Sequence, residues 1–178
     1  MKKRTMAFIL AMVLVLGATI GGTIAWLTDK TATVTNTFTA GDIDITLVET
    51  TSDYKMIPGC DIAKNPTVTV KAGSEACWLF VKVAKNNSPD NFLDYSINDS
   101  WSELTAGSGV YYQSVGAAST DQSFPVLNDN KVSVKISVTK ADLNALTQAT
   151  YPTLSFTAYA IQQEGFDTAA AAWAEVSK

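Results

Sequence analysis

The sequence predicts an all-β fold, a jelly-roll-like sandwich of two antiparallel sheets with a short crossover helix and a C-terminal helix. Three observations predict it. Apolar residues recur at every second position in seven separate stretches, the period of a strand with one buried face. Clusters of Gly, Pro, Asn, Asp and Ser punctuate those stretches and supply turns. Helical spacing is confined to two short segments near the C-terminus. Many short strands with turn signals between them build packed antiparallel sheets.

The chain opens with Lys2, Lys3 and Arg4, and no further charge follows until Asp29. Met6 to Ile20 is mostly apolar, and Gly21-Gly22-Thr23-Ile24-Ala25 is small. That order is the pattern of a secretory signal peptide, expected over residues 1–25 with cleavage between Ala25 and Trp26. Loss of the three cations takes the formal charge from −4 to −7. An uncleaved membrane anchor is the alternative, but Gly17, Gly21 and Gly22 weaken a helix there. Residues 26–178 are expected to form a single β-sandwich domain.

Strands are expected in chain order. Residues 26–40 form a Thr-rich candidate strand with Ala32, Val34, Asn36, Phe38 and Ala40 on one face. Ile43, Ile45 and Leu47 alternate with Asp42, Asp44 and Thr46, so the two aspartates read as a solvated face. Val68 and Val70 follow. Cys77, Leu79, Val81 and Val83 alternate with Trp78, Phe80 and Lys82. Both faces of that stretch begin apolar, which marks a central strand. Val110 to Val115 is short and aromatic. Val132, Val134, Ile136 and Val138 read as one half-buried strand, and Leu154, Phe156, Ala158 and Ala160 as another. Leu93 to Ile97 is an eighth candidate. Thr139 is placed to cap the crossover helix. Asp167 is placed to cap a final helix over Thr168 to Val176, with Trp173 and Val176 on its docking face.

The chemistry available is narrow. The chain has no His, which removes imidazole bases, Ser-His and Cys-His nucleophiles and imidazole metal sites. No catalytic residue, metal ligand or cofactor is expected, and the chain is read as not an enzyme. An acidic balance, with pI about 4.7, disfavours binding to nucleic acid phosphates. Cys60 and Cys77 are the two cysteines. In an exported protein they read first as a disulfide, worth about 3 kcal/mol by chain entropy, with a buried free thiol at Cys77 as the alternative. Asn86, Asn87, Asp90, Asn91, Asp94, Asn98 and Asp99 crowd one region. They lack the D-x-[DN]-x-[DN]-G calcium pattern and read as a solvated loop. The aromatics Trp78, Trp101, Tyr111, Tyr112, Phe124, Tyr151, Phe156 and Tyr159 read mostly as core.

Gly21 to Asp29, then Asn36-Thr37-Phe38-Thr39-Ala40-Gly41 and Asp42-Ile43-Asp44-Ile45, resemble the signal peptides and mature N-termini of the TasA and camelysin family of Gram-positive bacteria. These are substrates of the dedicated signal peptidase SipW. Ile57-Pro58-Gly59, Gly73-Ser74 and Cys77 to Val83 resemble the family's following turn and strands. The resemblance covers roughly residues 15 to 85 by motif. It implies a secreted or cell-surface protein, a subunit of an extracellular matrix, biofilm or cell-surface fibre. In the family's filaments the N-terminal segment of one subunit completes a sheet of the next. Val34 and Phe38 would anchor such a donor strand here. The expected partners are copies of the same chain, arranged head to tail, further matrix or anchor proteins, and a SipW-type peptidase during export. Camelysins are also described as surface metalloproteases, but this chain has no H-E-x-x-H, so a protease is the disfavoured alternative. A monomeric adhesin or carbohydrate-binding module is the other.

Overall fold

Ten strands in three antiparallel sheets, with two short α-helices, make up the described part of the chain. The structure is a computed structural model and describes residues 41–50 and 54–178. Ala25, Trp26, Val34 and Phe38, and with them the expected cleavage site and the candidate donor strand, lie outside the described residues.

The central sheet holds β4 (Cys77–Asn86), β7 (Val110–Val115), β10 (Thr153–Gln162) and β6 (Ser102–Glu103), in the order β10-β4-β7-β6. β4 is its spine. It pairs with β10 from Cys77↔Gln162 to Asn86↔Thr153 and with β7 from Cys77↔Val115 to Lys82↔Val110. The second sheet is β1 (Ile45–Val48), β3 (Thr67–Val70) and β8 (Gln122–Pro125), in the order β1-β3-β8. A third, smaller sheet runs β2 (Asp61–Ala63), β9 (Lys131–Val134) and β5 (Leu93–Asp94), in the order β2-β9-β5.

The alternation in β4 divides its side chains between two cores. Cys77, Leu79, Val81 and Val83 point to the second sheet, where Val68, Val70, Trp101, Val115 and Val126 close around them. Phe80, with Trp78 beside it, points the other way, onto Val110, Ala169, Ala172 and Trp173. The C-terminal helix Ala169–Val176 thus covers the face that the second sheet does not. Phe80 sits 5.2 Å from the Trp173 ring, and Tyr159 lies edge-on to the same indole. β10 follows the same rule: Leu154, Phe156, Ala158 and Ala160 join the first core, Tyr159 and Ile161 the second. Further along β4 the helix side turns polar at the exposed Lys82. A strand buried on both faces reads as a continuous apolar run, and β4 is one only where it is covered twice.

Several expectations are met closely. β3, β4, β7 and β10 fall where the alternation places them. Thr139 caps the crossover helix Lys140–Asn144 in a full capping box with Asp142. Others are corrected. The helix near the C-terminus is capped by Thr168, not Asp167: Thr168 has extended backbone and its hydroxyl accepts from the Ala171 N–H. The expected strand through Val138 ends at Val134. Val138 N–H bonds back to the Lys135 carbonyl in a turn, which throws Ile136 out to 88% exposure while Val138 stays buried. β2, β6 and β8 carry no alternation signal, being only two to four residues long. Two sheets were expected; the third forms because β2 and β5 both pair with β9.

One glycine is required by a close approach. Gly109 has φ +66°, and a Cβ there would lie 2.9 Å from the Val83 carbonyl oxygen. The Gly109 carbonyl in turn accepts the Val83 N–H at 2.8 Å. Only glycine fits this turn into β7 without strain.

Charge ties the sheets at one buried point. Lys64, 9% exposed, follows β2 and donates to both carboxylate oxygens of Glu49 at 2.8 and 3.0 Å. Glu49 follows β1 and also accepts from the Tyr54 hydroxyl at 2.7 Å. The Lys64 ammonium lies 4.9 Å from the Tyr54 ring centre and 5.4 Å from that of Phe156. Burial first, and the Glu49 bond second, hold the Tyr54 phenol well above its ordinary range.

Truncating Glu49 to Ala leaves a buried ammonium without its carboxylate and is expected to cost about 3 kcal/mol in urea unfolding. The same truncation at Asp121, whose pairing with Lys71 is exposed, is expected to leave the urea midpoint nearly unchanged. Gln113 lies on the core-facing side of β7, and its buried Nε2 finds no hydrogen-bond partner among the described residues. Gln113→Leu is expected to raise stability by about 1 kcal/mol, read as a higher urea midpoint at unchanged slope.

Candidate functional site

Two concave regions and one sheet edge hold the chemistry that the described surface offers. The first concavity is a polar cleft of about 360 Å³ where β4 runs out into the Asn- and Asp-rich segment. Asn87 and Ser88 take left-handed backbone and reverse the chain into a 3-10 turn, Pro89–Asn91. Pro89 is buried beneath it. The segment is then anchored repeatedly. β5 pairs with β9, Lys135 N–H donates to the Phe92 carbonyl, Asn128 N–H donates to the Ser96 carbonyl, and Ile97 bridges to Leu127.

This anchoring sets two lysine–aspartate pairs side by side. Lys85, the next-to-last residue of β4, bonds both carboxylate oxygens of Asp90 at 3.0 and 2.9 Å. Its ammonium lies 5.3 Å from the Tyr95 ring centre. The Tyr95 side chain first, and Asp90 second, hold the Lys85 ammonium above its ordinary range. Lys135 pairs with Asp94 at 3.5 Å and donates to the Asp90 carbonyl. Tyr111 of β7 forms part of the wall, and burial raises its phenol pKa. The sequence reading saw the aspartates as a solvated loop. The lysines carry no such signal: Lys85 arrives from β4 and Lys135 from the chain just after β9, and only the fold brings them to the loop.

The second concavity is a groove of about 760 Å³ beside the first residues of β10, lined by Lys64, Leu143, Leu146, Tyr151 and Leu154 among others. Tyr151 is exposed, unlike most of the aromatics expected in the core. The groove lies against the sheet edge: among the described residues β10 is bonded to a strand on one side only, through all ten of its residues. No spacing in the sequence announces the groove.

The sequence-selected residues are not gathered into one catalytic constellation. Asp42 and Asp44 are exposed; the Asp44 backbone bonds Lys71 and Ser74 rather than pairing its carboxylate with that of Asp42. The expected Cys60–Cys77 disulfide is absent. Both thiols are free, Cys60 exposed just before β2 and Cys77 buried in β4. Cys60 leads into the third sheet, whereas Cys77 opens β4 of the central sheet and is committed to the core, where burial raises its thiol pKa. For a metal, the chain supplies no imidazole. Among the described residues no group of three or more Cys, Asp and Glu side chains converges to hold an ion. The cleft aspartates are already engaged by lysine. The described residues therefore do not fit a catalytic zinc.

Residues 1–73 match the model of a family described as camelysin metallo-endopeptidase. The matched stretch contains the basic and apolar first residues, the Asn36 to Gly41 motif and strands β1 to β3, and it ends at the turn before β4. No curated protein and no solved structure shows significant similarity to the chain. The match corrects one expectation. The chain was read as not an enzyme for want of His, whereas the family it matches is described by a protease activity. No helix among the described residues is long and apolar enough to cross a membrane. By residues 1–73, less than half of the 178-residue chain, the protein is similar to the camelysin family.

Proposed function

We propose that the chain is a structural subunit of an extracellular or cell-surface fibre, assembled head to tail by strand donation from residues 26–40. The observation that carries this reading is the ten-residue edge of β10, paired on one side only among the described residues and flanked by a groove. Such an edge presents main-chain donors and acceptors in register and is a template for an added strand. The proposed donor has the matching character: alternating, Thr-rich, with Val34 and Phe38 on one face to seat in a groove. It stands directly before the residues that lead into β1, at the expected new N-terminus. A donor on one end and an acceptor elsewhere make a heterologous contact that does not close, so the product is a filament. Net negative charge repels subunits at long range, leaving strand pairing to drive assembly.

A second reading is favoured by the family description: a camelysin-like endopeptidase. Casein digestion by the pure protein, abolished by a chelator, would support it. Its metal ligands would then have to come from a set that the described residues do not assemble.

The fibre reading makes a direct prediction. Protein beginning at Trp26 is expected to form filaments by electron microscopy and to elute as a concentration-dependent series in sizing chromatography. Deletion of residues 26–38, or Phe38→Asp, is expected to leave monomers with an unchanged circular dichroism spectrum. Filaments from the deletion at wild-type yield would refute strand donation.

A further inference from the structure

We propose, resting on the fibre reading above, that the groove beside the first residues of β10 seats Phe38 of a second copy of the chain, whose arm then runs antiparallel to β10. The argument is one of reach. The arm joins the described residues at Gly41, and a Cβ on Gly41 would fall 2.9 Å from the Glu75 side chain. Glu75 N–H donates to the Asp42 carbonyl at 3.0 Å, and Gln163 N–H donates to the carbonyl of the adjoining Ala76 at 2.9 Å. Gly41 therefore lies at the Gln162 end of β10. The groove lies at the other end, at Tyr151 and Leu154. Along the extended backbone of β10, Leu154 is roughly 26 Å from Gln162. The residues from Phe38 to Gly41 span at most about 11 Å. Phe38 cannot reach the groove of its own chain, so an arm that seats it there belongs to a neighbour.

The direction of the added strand follows. With Phe38 in the groove, the body of the donor stands beyond the Thr153 end of the acceptor. The residues before Phe38 then have the β10 edge ahead of them, from Thr153 toward Gln162. Their chain runs the opposite way to β10, so the pair is antiparallel, with ladder bonds perpendicular to the strands. An arm laid along β10 of its own chain runs parallel to it, with Phe38 left at the Gln162 end.

The chemistry of groove and arm agrees. Leu143, Leu146 and Leu154 give the groove apolar walls, and Tyr151 exposes its ring there. An aromatic pair with Phe38 adds to the area buried. Of the two cations in the lining, Lys64 is held by both Glu49 oxygens, and Lys55 is exposed to solvent. Thr31 to Ala40 carries no charge, so seating it buries no unpaired ion. The volume of about 760 Å³ has room for a phenyl ring and its neighbours. Asn87 Nδ2 donates to the Ala149 and Tyr151 carbonyls at 3.1 and 2.8 Å. These bonds fix the lip of the groove in advance, which lowers the ordering cost of docking.

The test uses the chain beginning at Trp26 with Phe38→p-benzoylphenylalanine, prepared in nitrogen-15 and natural-abundance forms. The two forms are mixed, allowed to assemble and irradiated. Mass spectrometry is expected to find heavy–light cross-links joining position 38 to residues 143–155. In a second arm, Phe38→Asp and Leu146→Asp chains are each expected to stay monomeric, and their mixture to give one-to-one dimers, the intact arm of the second seated in the intact groove of the first. Folding of each is checked by circular dichroism. Assembly with cross-links inside one copy, at the Gln162 end, elsewhere or nowhere overturns the seat and leaves the fibre reading standing. So does a folded Leu146→Asp chain that assembles like its parent, or a mixture of folded variants that gives no dimer. Should Leu146→Asp fail to fold, the cross-link map alone decides. Failure of the unsubstituted chain to assemble at all overturns both readings.

Discussion

A single strand buried on both faces is the constraint on which the rest of this structure depends. β4 carries Leu79 and Val81 on one side and Phe80 on the other, all fully buried. Each such side chain contributes roughly 2 kcal/mol only if something covers it. One cover is the second sheet; the other is a helix that arrives from the far end of the chain. β10 lies beside β4 over its whole length because it has to span both covers. β7 matches only the first six residues of β4, where the covering is double. The last residues of β4 are freed from the core, and there the strand opens into the charged cleft.

The division between what could be read in advance and what could not follows the source of each element's stability. β3, β4, β7 and β10 owe theirs to burial, which writes a period of two into the sequence. The capping box at Thr139 and Asp142 is local chemistry and equally legible. β2, β6 and β8 are held by pairing with neighbours distant in the chain. Main-chain bonding leaves no mark on side-chain identity, so they were invisible. Ile136 shows the converse failure: its alternation is intact, but a turn of a few residues removes it from the sheet. Register is decided by tertiary pairing, and pattern alone cannot see the slip.

The sites divide in the same way. The Asp and Asn residues of the cleft were conspicuous as a composition, yet their character is set by two lysines supplied by β4 and by the chain just after β9. Counted along the sequence they are acids in a loop; in space they are half of a charge-neutral array. Lys64 and Glu49 are likewise ordinary surface types by composition, and only the meeting of the segments after β1 and β2 makes them a buried pair. The absence of His speaks strongly about chemistry, but it does not decide activity: the family model matched by residues 1–73 carries a protease description that composition alone sets aside.

The unpaired cysteines have a practical consequence. One sulfur faces solvent in an exposed turn, and the other lies sealed in the innermost strand with its thiol form favoured by burial. A thiol reagent added to the native protein will therefore mark the first at once and the second only as often as the sandwich opens. The molecule thus carries, in two native side chains, both an internal standard and a gauge of how frequently its centre is laid bare. Neither a foreign label nor a denaturant is needed to read it.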